Sequence, residues 1–561
     1  MTSQYPSNYP WPQDQLLFVP LGGCGEIGMN LNAYGYQGKW LLVDCGITFA
    51  DETMLGVDVI MPDPKFLVEQ RDRIIALIIT HAHEDHIGAV PYLWESLQCP
   101  VYATGFAASV LKRKLVGTGL LEKIPLHLMA MSGSLTLEPF TVQTITLTHS
   151  IPEPNALVIR TAAGTVLHTG DWKLDDAPVV GDLTDEKALR ALAEENILAM
   201  VCDSTNVFVE ENAGSEQSVA DALTTLISQQ KGAVAVTCFA TNVARLHSVT
   251  KAANAAGRSV VLLGRSMKRI YESAFENGYL QDMTFVDASA AKLLPRESLL
   301  YLCTGSQGEE RAALGRLAQG NHPEAHLEAG DTVFFSSRKI PGNEKAIGRI
   351  QNALASKGMK VITDKEAFIH VSGHPGREDL RALYSWVRPQ AVIPVHGEQR
   401  HLREQAELAA SCQVPHTLVI GNGDMVALSK TAAPRVIDQV PVARLALNGT
   451  RLTPLFSESR KNLMKAVESG YLVASVVVDE EGALCAPLQI SMLGLLENKE
   501  LAELLPEIED YILEELEGLT EAQFKKDATV VDVIRKCLRT VFKAENGKRP
   551  RIEVHLLRIE G

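Results

Sequence analysis

Apolar residues fall in short runs along most of this chain, and many of the runs end on a histidine or an aspartate. Leu16 to Leu21 predicts a first strand, and the glycine-rich GGCGEIGMN follows it. A dinucleotide fingerprint would need a helix next, but NAYGYQGKWLLVDCG predicts a hairpin around Gln37-Gly38 that ends at Asp44. Ile74 to Thr80 predicts a buried strand, after which an extended loop presents His81, His83, Asp85 and His86 ahead of a helix in AVPYLWESL. PVYAT reads as a strand and Phe106 to Lys114 as a helix. The alternation in LTLEPFTVQTITLTHS predicts one half-exposed antiparallel strand that delivers His149. A hairpin of Ala156 to Thr161 and Thr165 to Thr169 delivers Asp171, and Ile197 to Cys202 delivers Asp203. Asp44, His81, His149, Asp171 and Asp203 thus all follow strand ends, where a rigid scaffold can hold ligands convergently.

From about Gly214 the pattern becomes a regular alternation of strand and helix. AVAVTCFA, SVVLLG, SLLYLCTG, DTVFFSS and MKVITD are five strands with helices between them, which implies a parallel, doubly wound sheet. AFIHVSGHPGRED and AVIPVHGEQ then resume the pattern of apolar runs ending on histidine, with His374 and His396 at strand ends, so the parallel-sheet domain is an insert. Residues 431–460, rich in Pro, Ala and Arg, read as a linker, and the rest as a small α+β domain. The expected division is 1–210 for the first part of the core, 211–362 for the insert, 363–430 for the second part of the core and 461–561 for the last domain.

At 561 residues the chain is too long for a single core. Its nine cysteines are odd in number and form no C-x-x-C pair, and several lie in apolar runs, which points to reduced thiols and a cytoplasmic location. MTSQYPSNYPWPQDQ lacks the basic and apolar regions of a signal peptide, and no run reaches the length of a membrane span. A net charge of −15 is awkward for a nucleic-acid enzyme. Much of it is local, however: Glu497 to Glu521 holds ten acidic residues against Lys499 alone, and binding depends on the field of a cleft rather than on the total.

The chemistry concentrates in residues 81–86. Three histidines and a carboxylate within six residues after a strand are hard to explain as a chance polar loop. Residues two apart in an extended segment point the same way, so His81 and His83 can share one cation while Asp85 and His86 reach a second. Imidazole and carboxylate suit zinc or manganese better than thiolate-seeking metals. The glycine at 373 allows a close backbone approach, and a helix starting near Pro375 would aim its free N–H groups at Ser372 to His374, making an anion site. Thr241-Asn242 sits at another strand-to-helix junction and reads equally well as a phosphate contact or a simple N-cap.

H-x-H-x-D-H resembles the signature of the metallo-β-lactamase superfamily. A core of that kind interrupted by an α/β insert resembles the β-CASP nucleases. PLGGCGEIGMN, HAHEDHIGA, THSIPE, HTGDWK, CDSTN, FATN, GRSM, TGSQGE, SSRKIPGNE, HVSGHPGRED and PVHGE together resemble the ribonuclease J family. Ala82 and Cys24 depart from that pattern without touching a ligand. The resemblance implies an α/β fold: an αββα metallo-β-lactamase sandwich, an inserted β-CASP domain with a doubly wound parallel sheet, and a small α+β C-terminal domain. It implies two zinc ions per chain, with manganese as the alternative activating metal. It places His81, His83 and His149 on one ion, Asp85, His86 and His396 on the other, and Asp171 between them. Asp44 and Asp203 take supporting acidic positions, and Asp85, Asp171 and His374 the catalytic ones. His370, Val371, Ser372, Gly373 and His374, with Ala240, Thr241 and Asn242, fall where substrate binds.

The implied activity is hydrolysis of RNA, 5′ to 3′ from single-stranded 5′-monophosphate ends and also internally, in RNA maturation and decay. The acid excess of the C-terminal domain makes it a poor RNA surface while its alternating strands offer an apolar face, so a homodimer or homotetramer formed through that domain is expected. Phosphodiester hydrolysis at neutral pH needs a nucleophile better than water and a counter-charge at phosphorus, both of which a two-metal site provides. The competing reading, a hydrolase of a small ester or thioester, needs neither the insert nor a phosphate site at residues 372–374. A DNA nuclease of the β-CASP type usually carries valine where this chain has His396.

Overall fold

The computed structural model describes residues 11–50, 53–479 and 483–559, so MTSQYPSNYP of the N-terminal stretch lies outside it. The chain forms two compact units that divide between Leu452 and Thr453. In the first unit, an eight-stranded sheet runs in the order Arg435–Gln439, Asp424–Leu428, Leu16–Gly22, Leu31–Tyr36, Lys39–Val43, Ile74–Ile78, Val101–Ala103, Leu126–Leu128. A seven-stranded sheet runs Ser134–Leu137, Phe140–Thr146, Asn155–Thr161, Gly164–His168, Ala199–Asp203, Ala391–Val395, His416–Thr417.

The side-chain period of two sorts each strand onto two cores. Leu16, Phe18, Leu41, Val43 and Ile78 of the first sheet meet Leu157, Ile159, Val201 and Ile393 of the second in one buried cluster. Their alternate neighbours Leu17, Val19, Leu42 and Leu77 pack on Trp94, Leu97, Phe106 and Leu111 of the helices Val90–Leu97 and Gly105–Leu115. On the far side, Val158, Leu167, Met200 and Val392 pack on Leu380, Leu383, Val387 and Leu408 of Arg377–Val387 and Gln399–Ser411. This is an αββα sandwich, and burial on both faces is why its strands read as continuous apolar runs.

Between Asp203 and the return at Ala391 the chain builds a five-stranded sheet in the order Ser259–Leu263, Leu299–Cys303, Val234–Thr237, Thr332–Phe335, Lys360–Ile362. All four of its pairings are parallel, as the alternation of strands and helices requires. The second unit has a sheet in the order Gln489–Leu493, Tyr471–Val478, Arg551–Arg558. Leu472, Ala474, Val476 and Val478 pack there on Ile508 and Ile512 of Asn498–Glu517 and on Ile534, Leu538 and Phe542 of Asp527–Asn546. No helix among the described residues is long and apolar enough to cross a membrane.

Four expectations need correction. LTLEPFTVQTITLTHS is two strands, with Leu137 paired to Phe140 across Glu138-Pro139, since proline cannot donate to a continuing ladder. Residues 431–460 are not a free linker: Arg435–Gln439 extends the first sheet beside Asp424–Leu428, and Arg444–Asn448 pairs with Val59–Pro62. The segment carrying His374 is an irregular loop rather than a strand. Helix Glu216–Ser228 is not among the expected elements because only Val219, Leu223 and Ile227 mark its buried stripe, amid polar and small residues.

Candidate metal centre

Strand Ile74–Ile78 delivers the motif, and the backbone stays extended only as far as His83, whose φ and ψ are −70° and 152°. Asp85 and His86 lie in the short helix Glu84–Ile87, not in the extended loop that the spacing suggested. The outcome is still two clusters. In the first, His81 Nε2 lies 3.1 Å and His149 Nε2 3.0 Å from His83 Nδ1. Asp171 Oδ2 is 3.9 Å from each of the first two nitrogens. In the second, His86 Nε2 is 3.6 Å from Asp85 Oδ2 and 3.2 Å from Asp171 Oδ2. His396 reaches Asp85 Oδ2 with Nε2 at 3.1 Å and Asp171 Oδ1 with Nδ1 at 2.8 Å. Asp171 is therefore common to both clusters and to a third group with Asp203, His374 and His396, and the candidate ligand atoms of each group lie within 4.8 Å of one another.

The surroundings decide which ring nitrogens carry hydrogens. Asp44 is fully buried, and its carboxylate accepts from the Thr80 N–H at 2.8 Å, the Thr80 hydroxyl at 2.9 Å and His86 Nδ1 at 2.7 Å. Because the Thr80 hydroxyl donates to Asp44, its oxygen is left to accept from His81 Nδ1 at 3.0 Å. One aspartate thus turns the Nε2 lone pairs of two histidines inward, directly for His86 and through Thr80 for His81. His149 Nδ1 donates to the Gly373 carbonyl at 2.5 Å, which likewise frees its Nε2. A side chain at 373 would have its Cβ 2.7 Å from His149 Cε1, so this glycine makes room for a candidate ligand.

Burial, reinforced by neighbouring imidazoles, holds His81 and His149 well below the usual imidazole range and pushes His83 down to about 4. These rings are neutral, and their lone pairs converge without a hydrogen to share, which fits a divalent cation. At His86 and His396 burial also opposes charge, but Asp171 with Asp44 and Asp85 outweighs it at His86, and Asp171 with Asp85 and Asp203 at His396. Both are held well above the ordinary value. In Asp171 burial is overcome by His396 and His86, and the carboxyl stays ionised. A cluster that draws positive charge this strongly also fits a cation.

His374 lies next to these groups. Its Nδ1 is 2.8 Å from Asp203 Oδ2 and 3.8 Å from Asp171 Oδ2. Burial lowers its proton affinity, yet Asp203 outweighs burial and the imidazole titrates above its ordinary value. The expected anion site is altered, because the helix starts at Arg377 rather than near Pro375. Its leading N–H groups are already taken: Gly376 donates to Asp379 Oδ2 at 3.0 Å and Arg377 to the Val209 carbonyl at 2.9 Å. Ser372 Oγ accepts the His374 N–H at 3.1 Å. Val371 is buried, and His370 is half-buried with an unpartnered Nδ1; burial and then Arg245, Arg338 and Lys173 keep that ring neutral. Asn242 is an N-cap whose side chain accepts the Arg245 N–H at 2.8 Å, and Ala240 and Thr241 are half-buried beside it. No hydrogen bond among the described residues joins these three to the metal clusters.

Sequence reading missed Thr80, Asn30 and Thr205. Asn30 Nδ2 lies 3.1 Å from both the Asp85 carbonyl and His86 Nε2, and Thr205 Oγ1 donates to the His396 carbonyl at 2.8 Å. Asn30 and Thr205 belong to GEIGMN and CDSTN, but their partners are far away in sequence and only the fold supplies them.

The sandwich, the histidine-rich turn and the shared Asp171 define a metallo-β-lactamase-type hydrolase that carries a β-CASP insert. Family models agree: the metallo-beta-lactamase superfamily matches residues 32–199, the ribonuclease J beta-CASP domain 231–354, the Zn-dependent metallo-hydrolase RNA specificity domain 358–415 and the ribonuclease J C-terminal domain 459–559. Ribonuclease J of Sinorhizobium meliloti is 41% identical over 552 residues, 97% of this chain and 98% of the relative. Ribonuclease J of Mycolicibacterium smegmatis is 36% identical, covering 93% of each chain. A crystal structure of a protein of unknown function from Enterococcus faecalis V583 shares the fold, with a TM-score of 0.52 at 16% identity over 74% of this chain and 100% of that one. The chain belongs to the ribonuclease J family, whose members are metal-dependent nucleases.

Proposed function

We propose that this metal-dependent ribonuclease holds two cations, zinc or manganese, and cleaves single-stranded RNA both 5′ to 3′ from 5′-monophosphate ends and internally, in RNA maturation and decay. The observation that carries the reading is Asp171, one buried carboxylate common to two clusters of neutral or anion-flanked imidazoles. His81, His83 and His149 would hold one cation, Asp85, His86 and His396 the other, and Asp171 would bridge them. When bound, such a pair supplies an activated water and neutralises charge on the phosphoryl oxygens.

The chain's own residues do the rest. Asp203 takes His374 Nδ1, which leaves Nε2 of this ring, about a quarter exposed at 23%, to donate a proton to the leaving 3′ oxygen. The residues proposed to meet the substrate are His370, Val371, Ser372 and Gly373 beside it in sequence, with Ala240, Thr241 and Asn242 from the insert. Asp44 fixes two imidazole tautomers and takes no part in proton transfer. The nine unpaired cysteines suit a reducing cytoplasm.

The test is incubation of purified protein with 5′-monophosphorylated RNA, 5′-triphosphorylated RNA and DNA of one sequence, alongside a thioester. Stepwise release of nucleotides fastest from the first substrate is expected. Equal rates on DNA, or turnover of the thioester alone, would refute the reading.

A further inference from the structure

Apart from Asn30, the GGCGEIGMN loop has no role in the chemistry above, yet it touches one of the two cation positions at both of its ends. His396 sits at φ 53°, an uncommon conformation for a residue with a side chain, so something must hold it there. Its N–H donates to the Gly23 carbonyl at 2.6 Å, and the next residue, Gly397, pairs in parallel with Cys24. At the other end of the loop, Asn30 donates from Nδ2 to the Asp85 carbonyl at 3.1 Å, and the Asn30 N–H donates to the same carbonyl at 2.9 Å. His396, Asp85 and His86 are the set proposed for the second cation. His81, His83 and His149 have no hydrogen bond to residues 23–30 among the described residues; Thr80 holds His81 and Gly373 holds His149 instead.

The loop is tied at its middle by a single carboxylate. Glu26 Oε1 accepts from the Gly23 N–H at 3.3 Å and from Asn422 Nδ2 at 2.6 Å, while Oε2 pairs with Arg444. Asn422 Oδ1 in turn accepts the Cys24 N–H at 3.0 Å. The turn is tight: a Cβ at Gly23, where φ is 83°, would lie 2.1 Å from Asn30 Oδ1. Glu26 therefore fixes the segment that fixes His396, using two residues that arrive more than 390 positions later in the chain.

We infer that the Gly23–Asn30 loop is a strap for the Asp85–His86–His396 cation position, and that Glu26 is its positioning residue, acting on that position and not on the three-histidine one. The inference rests on the two-cation reading above. It predicts asymmetry, which a merely structural role would not produce. In Glu26→Gln one oxygen is kept, but the ion pair with Arg444 and one acceptor site are lost.

The test is calorimetric titration of the chelator-stripped full chain with Zn²⁺ and with Mn²⁺, with elemental analysis after dialysis. Wild type is expected to take up two ions. Glu26→Gln should bind one equivalent, assigned to the three-histidine position, with wild-type affinity and the other roughly 10- to 100-fold more weakly, the usual effect of losing a supporting partner. Arg444→Met, on the more exposed side of the pair, should show the same selective weakening to a smaller degree and decides the matter if Glu26→Gln does not fold. Two ions in the variants with wild-type affinities, or equal loss of both, overturns the strap while leaving the two-cation reading intact. A wild-type chain that binds one ion only removes both.

Discussion

His374 shows how a single residue divides the possible roles. Its partner is Asp203 at 2.8 Å, and the part proposed for it is to hold a proton, although Asp171, Asp203, His374 and His396 also lie close enough together to hold a cation. His374→Ala should keep both ions and lower the single-turnover rate on 5′-monophosphorylated RNA by about 10² to 10⁴, the range of a positioned acid. Loss of metal in that variant would make it a ligand. The pH dependence gives an independent check. Burial opposes the proton on His374 but Asp203 outweighs it, so the folded-state pKa is raised and the acid form persists above the usual imidazole range. Activity that needs this proton falls as pH rises through the raised value. Asp203→Asn removes the carboxylate, so the falling limb should move to lower pH; a limb that stays in place rules His374 out as the acid. Asp44 acts on its neighbours through the tautomers it sets, and Asp44→Asn should weaken metal uptake about 10- to 100-fold, read by titration.

Between elements, a buried ion pair within the insert also reaches the returning core segment through the same arginine. Arg245, fully buried on helix Val243–Ala255, donates from Nη2 to Glu216 Oε2 at 3.0 Å. Its Nη1 donates to the carbonyls of Ser336 and Ile369, both at 2.9 Å, so one guanidinium joins a helix, a strand end and the loop that leads to His374. Removing one partner of such a pair strands a buried charge. Arg245→Met is expected to cost about 3–5 kcal/mol in denaturant unfolding, and the double change with Glu216→Met to recover most of it. A single variant as stable as wild type would mean that the pair does not hold the insert together. Neither residue announces this in sequence, since an arginine in a helix is far more often a solvated one.

For the molecule as a whole, the division between Leu452 and Thr453 sets where a truncation is meaningful. Ending the chain at Lys430 would delete Arg435–Gln439 from the first sheet and remove Arg444 from Glu26, confusing loss of a domain with damage to the core. A chain ending at Leu452 should instead keep its fold and lose self-association, because the acidic helix Asn498–Glu517 and the mixed sheet of the second unit are the proposed assembly surface. Light scattering that finds the full-length oligomer in the shortened chain overturns that proposal. The sequence by itself determined most of the core strands, the parallel insert and the concentration of imidazoles and carboxylates at strand ends. Doubly buried strands are continuous apolar runs, crossover helices alternate with them, and imidazoles two residues apart in an extended segment must share a direction. It also placed Asp44 beside the site. What only the tertiary structure decided is which distant groups complete each ligand. The Thr80 relay from Asp44 to His81, the Gly373 carbonyl on His149, the Arg377 N–H taken by the Val209 carbonyl and the strap on His396 all depend on pairs far apart in the chain. Such pairs leave no local periodicity, because their energy comes from a hydrogen bond that forms only after the sheets have met.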